Sequence, residues 1–193
     1  MKFKCEKCGR CCNDPSIIVT VTHHDIQRIA RFLNFTPQEA IKFLAFYYLE
    51  DSAAAGKFIA SPPIRTIKGD TFLGLLKDKE GKCVFLDNGN RCSVYPVRPM
   101  ECRAFPFTFD VKKRWLCWGV AQKAKQCRGL NKGNAISAEV LDKIGSVIVR
   151  ERADFAKLVS IWNDLTRDKG INPVPELLLE FFSRALAIPY ARK

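Results

Sequence analysis

The stretch FKCEKCGRCCN at residues 3–13 sets Cys5, Cys8, Cys11 and Cys12 within eight positions. A Cys-x2-Cys-x2-Cys spacing lets a tight loop present thiolates to one ion or cluster, and Gly9 supplies backbone freedom for a bend between the second and third. Cys11 and Cys12 are neighbours. Adjacent side chains point in different directions, so the pair does not easily fill two corners of one tetrahedron at about 2.3 Å from a single ion. The expectation is service to two centres, or to one metal with one free thiol. The simpler alternative is an ordinary zinc knuckle with one spare buried cysteine.

Later cysteines add to this set. Cys83, Cys92 and Cys102 lie around an Asp-Asn-Gly-Asn turn and a proline-rich stretch, and Cys127 precedes Arg128-Gly129. Together the eight suffice for two four-thiolate sites. The opening resembles a bacterial ferredoxin run, in which three thiolates hold an iron–sulfur cube. It departs at the fourth position, where three residues should intervene and Cys12 follows at once. Cys117 lies between Trp115 and Trp118; its aromatic setting predicts a packed core thiol. His23 and His24, the only histidines, fall in the first turn of a predicted helix, where surface side chains are expected rather than ligands. Arg98, in YPVRPMEC, is expected to offset thiolate charge or bind loop carbonyls. Bidentate capture of a carboxylate or phosphate is its alternative role. Tyr95 is expected to be a packed ring.

The elements around these residues must be built by 193 residues that are 47% hydrophobic and include 14 Phe, enough for a core without staples. No uncharged apolar run of about 18 residues predicts a membrane span, and the N-terminus lacks the apolar segment of a signal peptide. A cytoplasmic location is therefore expected. In that reducing compartment nine cysteines, an odd number, read as ligands or reactive thiols rather than disulfides. The net charge is +12. Residues 98–132 carry Arg98, Arg103, Lys112, Lys113, Arg114, Lys123, Lys125, Arg128 and Lys132 against only Glu101 and Asp110. This basic segment predicts contact with nucleic acid or an acidic protein; a merely solvated rim is the plainer reading.

Along the chain, residues 16–21 (SIIVTV) predict a short strand. Thr22 and Asp25 have capping-box spacing for a helix to about Asn34, with Ile26, Ile29, Ala30 and Leu33 on one face. Thr36-Pro37-Gln38-Glu39 predicts a second helix over roughly 37–50. Residues 52–110 read as β-rich, with short runs at Lys57–Ala60, Ile64–Ile67, Thr71–Leu76 and Cys83–Leu86. The turn at 87–90 predicts a hairpin that folds Cys83 and Cys92 back towards each other. Three prolines make 95–107 irregular or edge-like. Ser137 is placed to cap a long helix to about Lys169, with Gly170 ending it, and Pro175 starts a last helix to about Leu186. The predicted class is α+β: a small β-rich, cysteine-ligated core over 1–136 with flanking helices, and a helical extension over 137–193 packed on it.

The motifs CEKCGRCC (5–12), HDIQRI (24–29), CVFLDNGNRCSVYPVRPMECRAFPF (83–107) and CRGLNKGNAIS (127–137) resemble the YkgJ-type cysteine-cluster family, known as zinc- or iron-chelating domains. The resemblance spans about residues 3–137 and implies metal ligation by Cys5, Cys8, Cys11, Cys12, Cys83, Cys92, Cys102 and Cys127. Cys117 is an extra. Flagellin lysine N-methylases look like relatives, so the resemblance alone implies a link to S-adenosylmethionine. The sequence itself has neither a Gly-x-Gly-x-x-Gly run nor the radical-type Cys-x3-Cys-x2-Cys spacing.

Two functions from different classes follow. The first expectation is an iron–sulfur or iron enzyme, or enzyme component, that modifies a macromolecule, with iron preferred to zinc; the excess of soft ligands and the adjacent basic segment support it. The other is a zinc-structured, non-catalytic binding module for nucleic acid or an acidic protein.

Overall fold

The computed structural model describes residues 1–36, 38–48, 62–168 and 171–187. In chain order the elements are β1 (Lys2–Phe3), α1 (Arg10–Asn13), α2 (His23–Leu33), β2 (Leu44–Tyr48), β3 (Ile64–Thr66) and β4 (Gly69–Leu75). There follow α3 (Met100–Ala104), β5 (Phe107–Lys112), β6 (Trp115–Val120), β7 (Leu130–Ala135), α4 (Ala138–Asp168) and α5 (Pro175–Ala187). Among the described residues all strand pairs are antiparallel, in three small sheets ordered β1-β7, β2-β4-β3 and β5-β6. This is an α+β protein. Two compact units share the elements: Met1–Val19 with Lys77–Glu151, and Thr20–Leu76 with Arg152–Lys193.

In the second unit the two capping boxes have different outcomes. At Thr22 the box opens α2 as predicted: the Asp25 N–H donates to Thr22 Oγ1 at 3.3 Å and the Thr22 N–H donates to Asp25 Oδ2 at 3.0 Å. Asn34, left-handed at φ 55°, closes it. Ile26, Ile29 and Ala30 are buried and Leu33 is half-buried, so one face of the helix meets the core. At Thr36 the same reciprocal bonds form with Glu39. Yet they support only a 3-10 turn at Gln38–Lys42, and the expected helix over 37–50 is replaced by β2. The run Leu44–Tyr48 ends in three aromatics, which suit a pleated surface better than a helix. It pairs along its length with β4, from Leu44↔Leu75 to Tyr48↔Thr71. A cap is a local bonus of about 1 kcal/mol, and five residues of ladder pairing outweigh it.

Residues 16–21 form no strand; a single bridge, Thr20↔Gly74, is what their extended backbone makes. The run Ile64–Ile67 becomes β3 and Thr71–Leu76 becomes β4, each within a residue or two of its predicted bounds. Lys57–Ala60 lies outside the described residues. Phe43, Phe72, Leu73, Phe155, Val159, Trp162, Leu178 and Phe182 are buried in this unit, and the Trp162 indole N–H donates to the Arg65 carbonyl at 2.9 Å. Ser137 Oγ accepts from the Val140 N–H at 3.3 Å at the start of α4. The long helix and the last helix both form where the sequence predicts them.

The first unit contains a hairpin, β5–β6, that runs past residue 110, where the predicted β-rich span ends. β5 and β6 pair in register from Phe107↔Val120 to Lys112↔Trp115. Phe107 and Phe109 point into a cluster with Ala104, Leu141 and Ile148, against which Phe3, Met100, Leu116, Val120, Ile136 and Ile144 pack. Each such fully buried Phe or Leu stabilises by about 1.5–3 kcal/mol. Gly145 lets α4 approach closely: a Cβ there would collide with the Phe109 ring. The stretch 95–107 is more regular than its prolines suggest. Pro99 directly precedes the single-turn helix α3, which carries Cys102.

Candidate metal centre

The knuckle is shaped by Gly9. Its φ of +70° is one an L side chain adopts reluctantly, and it caps α1 while its carbonyl accepts from the Cys12 and Asn13 N–H groups at 2.9 Å each. That turn brings the neighbouring thiols together: Cys11 Sγ and Cys12 Sγ are 3.9 Å apart. The expectation that they point apart is therefore corrected. In one helical turn, successive Cβ atoms are about 100° apart around the axis, close enough for two flexible thiols to converge. For two sulfurs each about 2.3 Å from one tetrahedral ion, the sulfur–sulfur distance is about 3.8 Å. The vicinal pair thus has the spacing of two ligands to one ion.

Three bonds dock the knuckle onto the segment that follows Lys77. The Cys83 N–H donates to the Cys12 carbonyl at 2.8 Å. Asn13 Nδ2 donates to Asn90 Oδ1 at 3.2 Å. Lys77 Nζ donates to the carbonyl of Asp14 and, within its own segment, to the Gly81 carbonyl at 2.9 Å. The turn at 87–90 forms as predicted: the Asn90 N–H donates to the Asp87 carbonyl at 3.1 Å, the Arg91 N–H donates to Asp87 Oδ1 at 2.8 Å, and Leu86 bridges Cys92. Cys83–Leu86 is a turn rather than the strand expected, its ends held by the bridges Lys77↔Cys83 and Leu86↔Cys92. Lys77 and Asn90 were not singled out in the sequence. Asn90 belonged to a recognised turn, but its contact with Asn13 crosses 77 residues and leaves no local signal.

The thiols feel one another. A hydrogen bond from the Cys12 thiol holds Cys11 down at about 7. Cys12 is pushed up, first by the Cys11 sulfur, then by burial and by the charges of Cys102 and Cys83. Burial pushes Cys83 up, with Cys92 and Cys11 adding to the rise and Lys77 opposing it. Burial also pushes Cys92 up, against the Val94 backbone N–H and the Arg98 guanidinium. Cys11, Cys12, Cys83, Cys92 and Cys102 therefore form one electrostatic neighbourhood, drawn from three chain segments. Arg98 stacks on the Tyr95 ring at 4.0 Å from its centroid and donates to the Tyr95 carbonyl at 3.3 Å, while Lys7 Nζ stands 4.6 Å from the same ring. Arg98 and Lys77 are cations whose charge acts on these thiols.

The segments that carry Cys5 and Cys127 meet by backbone pairing instead. The Lys4 N–H donates to the Gly129 carbonyl at 3.1 Å, beside the β1–β7 pair, and Glu6 bonds Lys132 at 2.5 Å. Cys5 is exposed, and Cys8 and Cys127 are half-buried. No disulfide joins any of the nine cysteines. Among the described residues, no three Cys, His, Asp or Glu side chains stand in position to hold an ion as they lie.

Two residues are corrected. Cys117 is no core thiol: it is half-buried on β6, its Sγ 3.7 Å from the Trp115 carbonyl, and Trp115 is 77% exposed. His23 is no surface residue: it is buried in the second unit, its ring stacked on Phe155 at 6.0 Å and lying 4.0 Å from that of His24. His24 Nε2 lies 3.7 Å from Asp154 Oδ2.

The donor set fits zinc or iron. Thiolates are soft ligands preferred by both. One pair already has tetrahedral-edge spacing, three further thiols act on it electrostatically, and Arg98 and Lys77 would help to offset the net negative charge of a dication with four thiolates.

The comparisons agree. The chain is 28% identical over 151 residues to an uncharacterized protein of Methanocaldococcus jannaschii, covering 77% of this chain and 69% of the relative. No solved structure matches. The family model CxxCxxCC, described as "Putative zinc- or iron-chelating domain", matches residues 4–128, which include the eight cysteines of the knuckle, the 83–102 stretch and Cys127. With well over half its length matched, the chain belongs to the CxxCxxCC family of zinc- or iron-chelating domains.

Proposed function

We propose that the first unit is a metal-structured binding module, in which Cys11 and Cys12 hold one zinc or iron ion together with two of Cys83, Cys92 and Cys102. The observation that carries this reading is the 3.9 Å separation of the vicinal sulfurs, the spacing of two ligands on one ion. The ion would tie α1, the 83–92 turn and α3 together and supply folding free energy to a region with few buried apolar side chains. Cys5, Cys8 and Cys127 are available for a second centre. The partner of such a module is a polyanion, nucleic acid or an acidic protein, met by the basic segment 98–132.

One observation favours a second reading. Five thiols share one neighbourhood where a single zinc needs four, and this excess supports an iron–sulfur centre in an enzyme that modifies a macromolecule. Purification without oxygen, followed by an absorption spectrum and assays of iron, zinc and inorganic sulfide, separates the two. Colourless protein with stoichiometric zinc, or with iron but no sulfide, supports the single-ion module. Brown protein with sulfide overturns it in favour of the cluster. Metal-free protein that is fully folded overturns both.

A further inference from the structure

The tip of the β5–β6 hairpin is built unlike an ordinary turn. Lys113 and Arg114 are its two loop residues, and both have positive φ, 48° and 73°. Such a two-residue turn matches the twist of the strands, but it is the place for Asn-Gly or Gly-Gly. Here two long cations occupy left-handed positions that disfavour them, flanked by Lys112 and Trp115, which pair across the strands. Ease of turning does not account for that choice. Among the described residues, Lys112, Lys113 and Arg114 have no carboxylate within ion-pair reach; Lys123 and Lys132 of the same basic segment are engaged by Ser16 and Glu6.

Register divides the hairpin into two faces. Phe107, Phe109, Leu116 and Val120 face the core. Thr108, Asp110, Lys112, Trp115, Cys117 and Gly119 share the other. Trp115 is 77% exposed, an unusual state for an indole in a folded chain. Behind it the strip is low: Gly119 has no side chain, its nearest neighbour being Thr108, and Cys117 is half-buried. The one acid there, Asp110, turns its carboxylate to the Val111 N–H at 2.8 Å.

We infer that this hairpin binds single-stranded nucleic acid, with Trp115 stacking on an unpaired base and Lys112, Lys113 and Arg114 contacting the phosphates on either side. The inference rests on the polyanion reading above and names its surface and partner. Unengaged cations complement a phosphate chain, and an exposed indole offers a face that every base can stack on. A duplex hides its base faces, so the single strand is the better fit. A membrane-inserting tip would reverse this order, with apolar residues at the apex and cations behind.

The test uses the full, metal-loaded chain and a fluorescein-labelled 12-nucleotide single strand, RNA or DNA, at low salt, with anisotropy as readout. Wild type should bind it more tightly than the matching duplex, and affinity should fall steeply as salt rises. Trp115→Ala should weaken binding by roughly 5- to 100-fold and Trp115→Phe should restore most of it. Reversal of Lys112, Lys113 and Arg114 to Glu should abolish binding, with metal content unchanged in every variant. Equal binding by Trp115→Ala and wild type overturns the hairpin assignment, as does a preference for duplex or for phosphatidylserine vesicles. No binding to any of these, with capture of a polyglutamate peptide, overturns the inference and leaves the polyanion reading standing. Metal content, measured on the same samples, reports on the metal centre separately.

Discussion

Substituting Gly9 with Ala probes the joint on which the knuckle depends. Ala must adopt φ near +70°, a left-handed conformation costing roughly 1–2 kcal/mol for a residue with a Cβ. The new methyl would also lie 2.8 Å from Asn90 Oδ1 and 3.1 Å from its Cβ and Cγ. Asn90 has a short side chain bonded to Asn13, so relief requires moving the 87–90 turn; overpacking of this kind costs about 1–3 kcal/mol. The sum is roughly 2–5 kcal/mol. Asn90 itself has φ 59°, which Gly tolerates freely. Gly9→Ala with Asn90→Gly should therefore recover the collision part, about 1–3 kcal/mol, and leave the backbone part. Urea unfolding by tryptophan fluorescence, at one fixed concentration of free metal, measures both, since bound metal shifts apparent stability by mass action. A Gly9→Ala variant within 0.5 kcal/mol of wild type, or a double variant no more stable than the single, would refute the reasoning.

Thr22→Ala removes one half of the box that opens α2 and should cost about 1 kcal/mol, read as a lower midpoint in thermal unfolding. Replacing Cys83 and Cys102 together with Ala leaves the ion at most one of its later thiolates and should lower both bound metal and the unfolding midpoint, whereas Cys117→Ala should leave metal content unchanged; equal metal in wild type and both variants would contradict the ligand set. Glu39 is held at about 2 by the Lys42 ammonium and by the Thr36 N–H and hydroxyl. A carboxyl depressed in the folded state stabilises above its unfolded value near 4.5 and loses that contribution as pH falls through 2. Hydrogen-exchange protection of the Thr36 amide should drop across that window, and Glu39→Gln should flatten the response.

Much of the scaffold was legible because its signals are local. Thr22 with Asp25, Ser137 before α4 and Pro175 at the start of α5 each mark a helix start within four residues. Thr36 shows the limit: its box formed, but the ladder partners of Leu44–Tyr48 lie in β4, some 25 residues away, and they decided the element. The cysteine clusters were legible as donors because thiols in such density have few other uses. Their arrangement was not. A rule about adjacent side chains in an extended chain failed at Cys11 and Cys12 because the pair lies in a helical turn capped by a left-handed Gly9. Lys77 and Asn90, which dock the knuckle, act across 63 and 77 residues, and no periodicity encodes such contacts. His23 was misplaced because Phe155, which stacks on its ring, lies far along the chain, and Cys117 because the strand register turns it to the hairpin face away from the core.

The most direct measurement of the central claim is X-ray absorption at the metal edge of the purified protein, with Cys11→Ala and Cys12→Ala alongside. Coordination of one ion by both vicinal thiolates predicts a first shell of four sulfurs at about 2.3 Å in wild type, and loss of a sulfur or of the ion itself in each variant. An unchanged four-sulfur shell at full occupancy in either variant would contradict it.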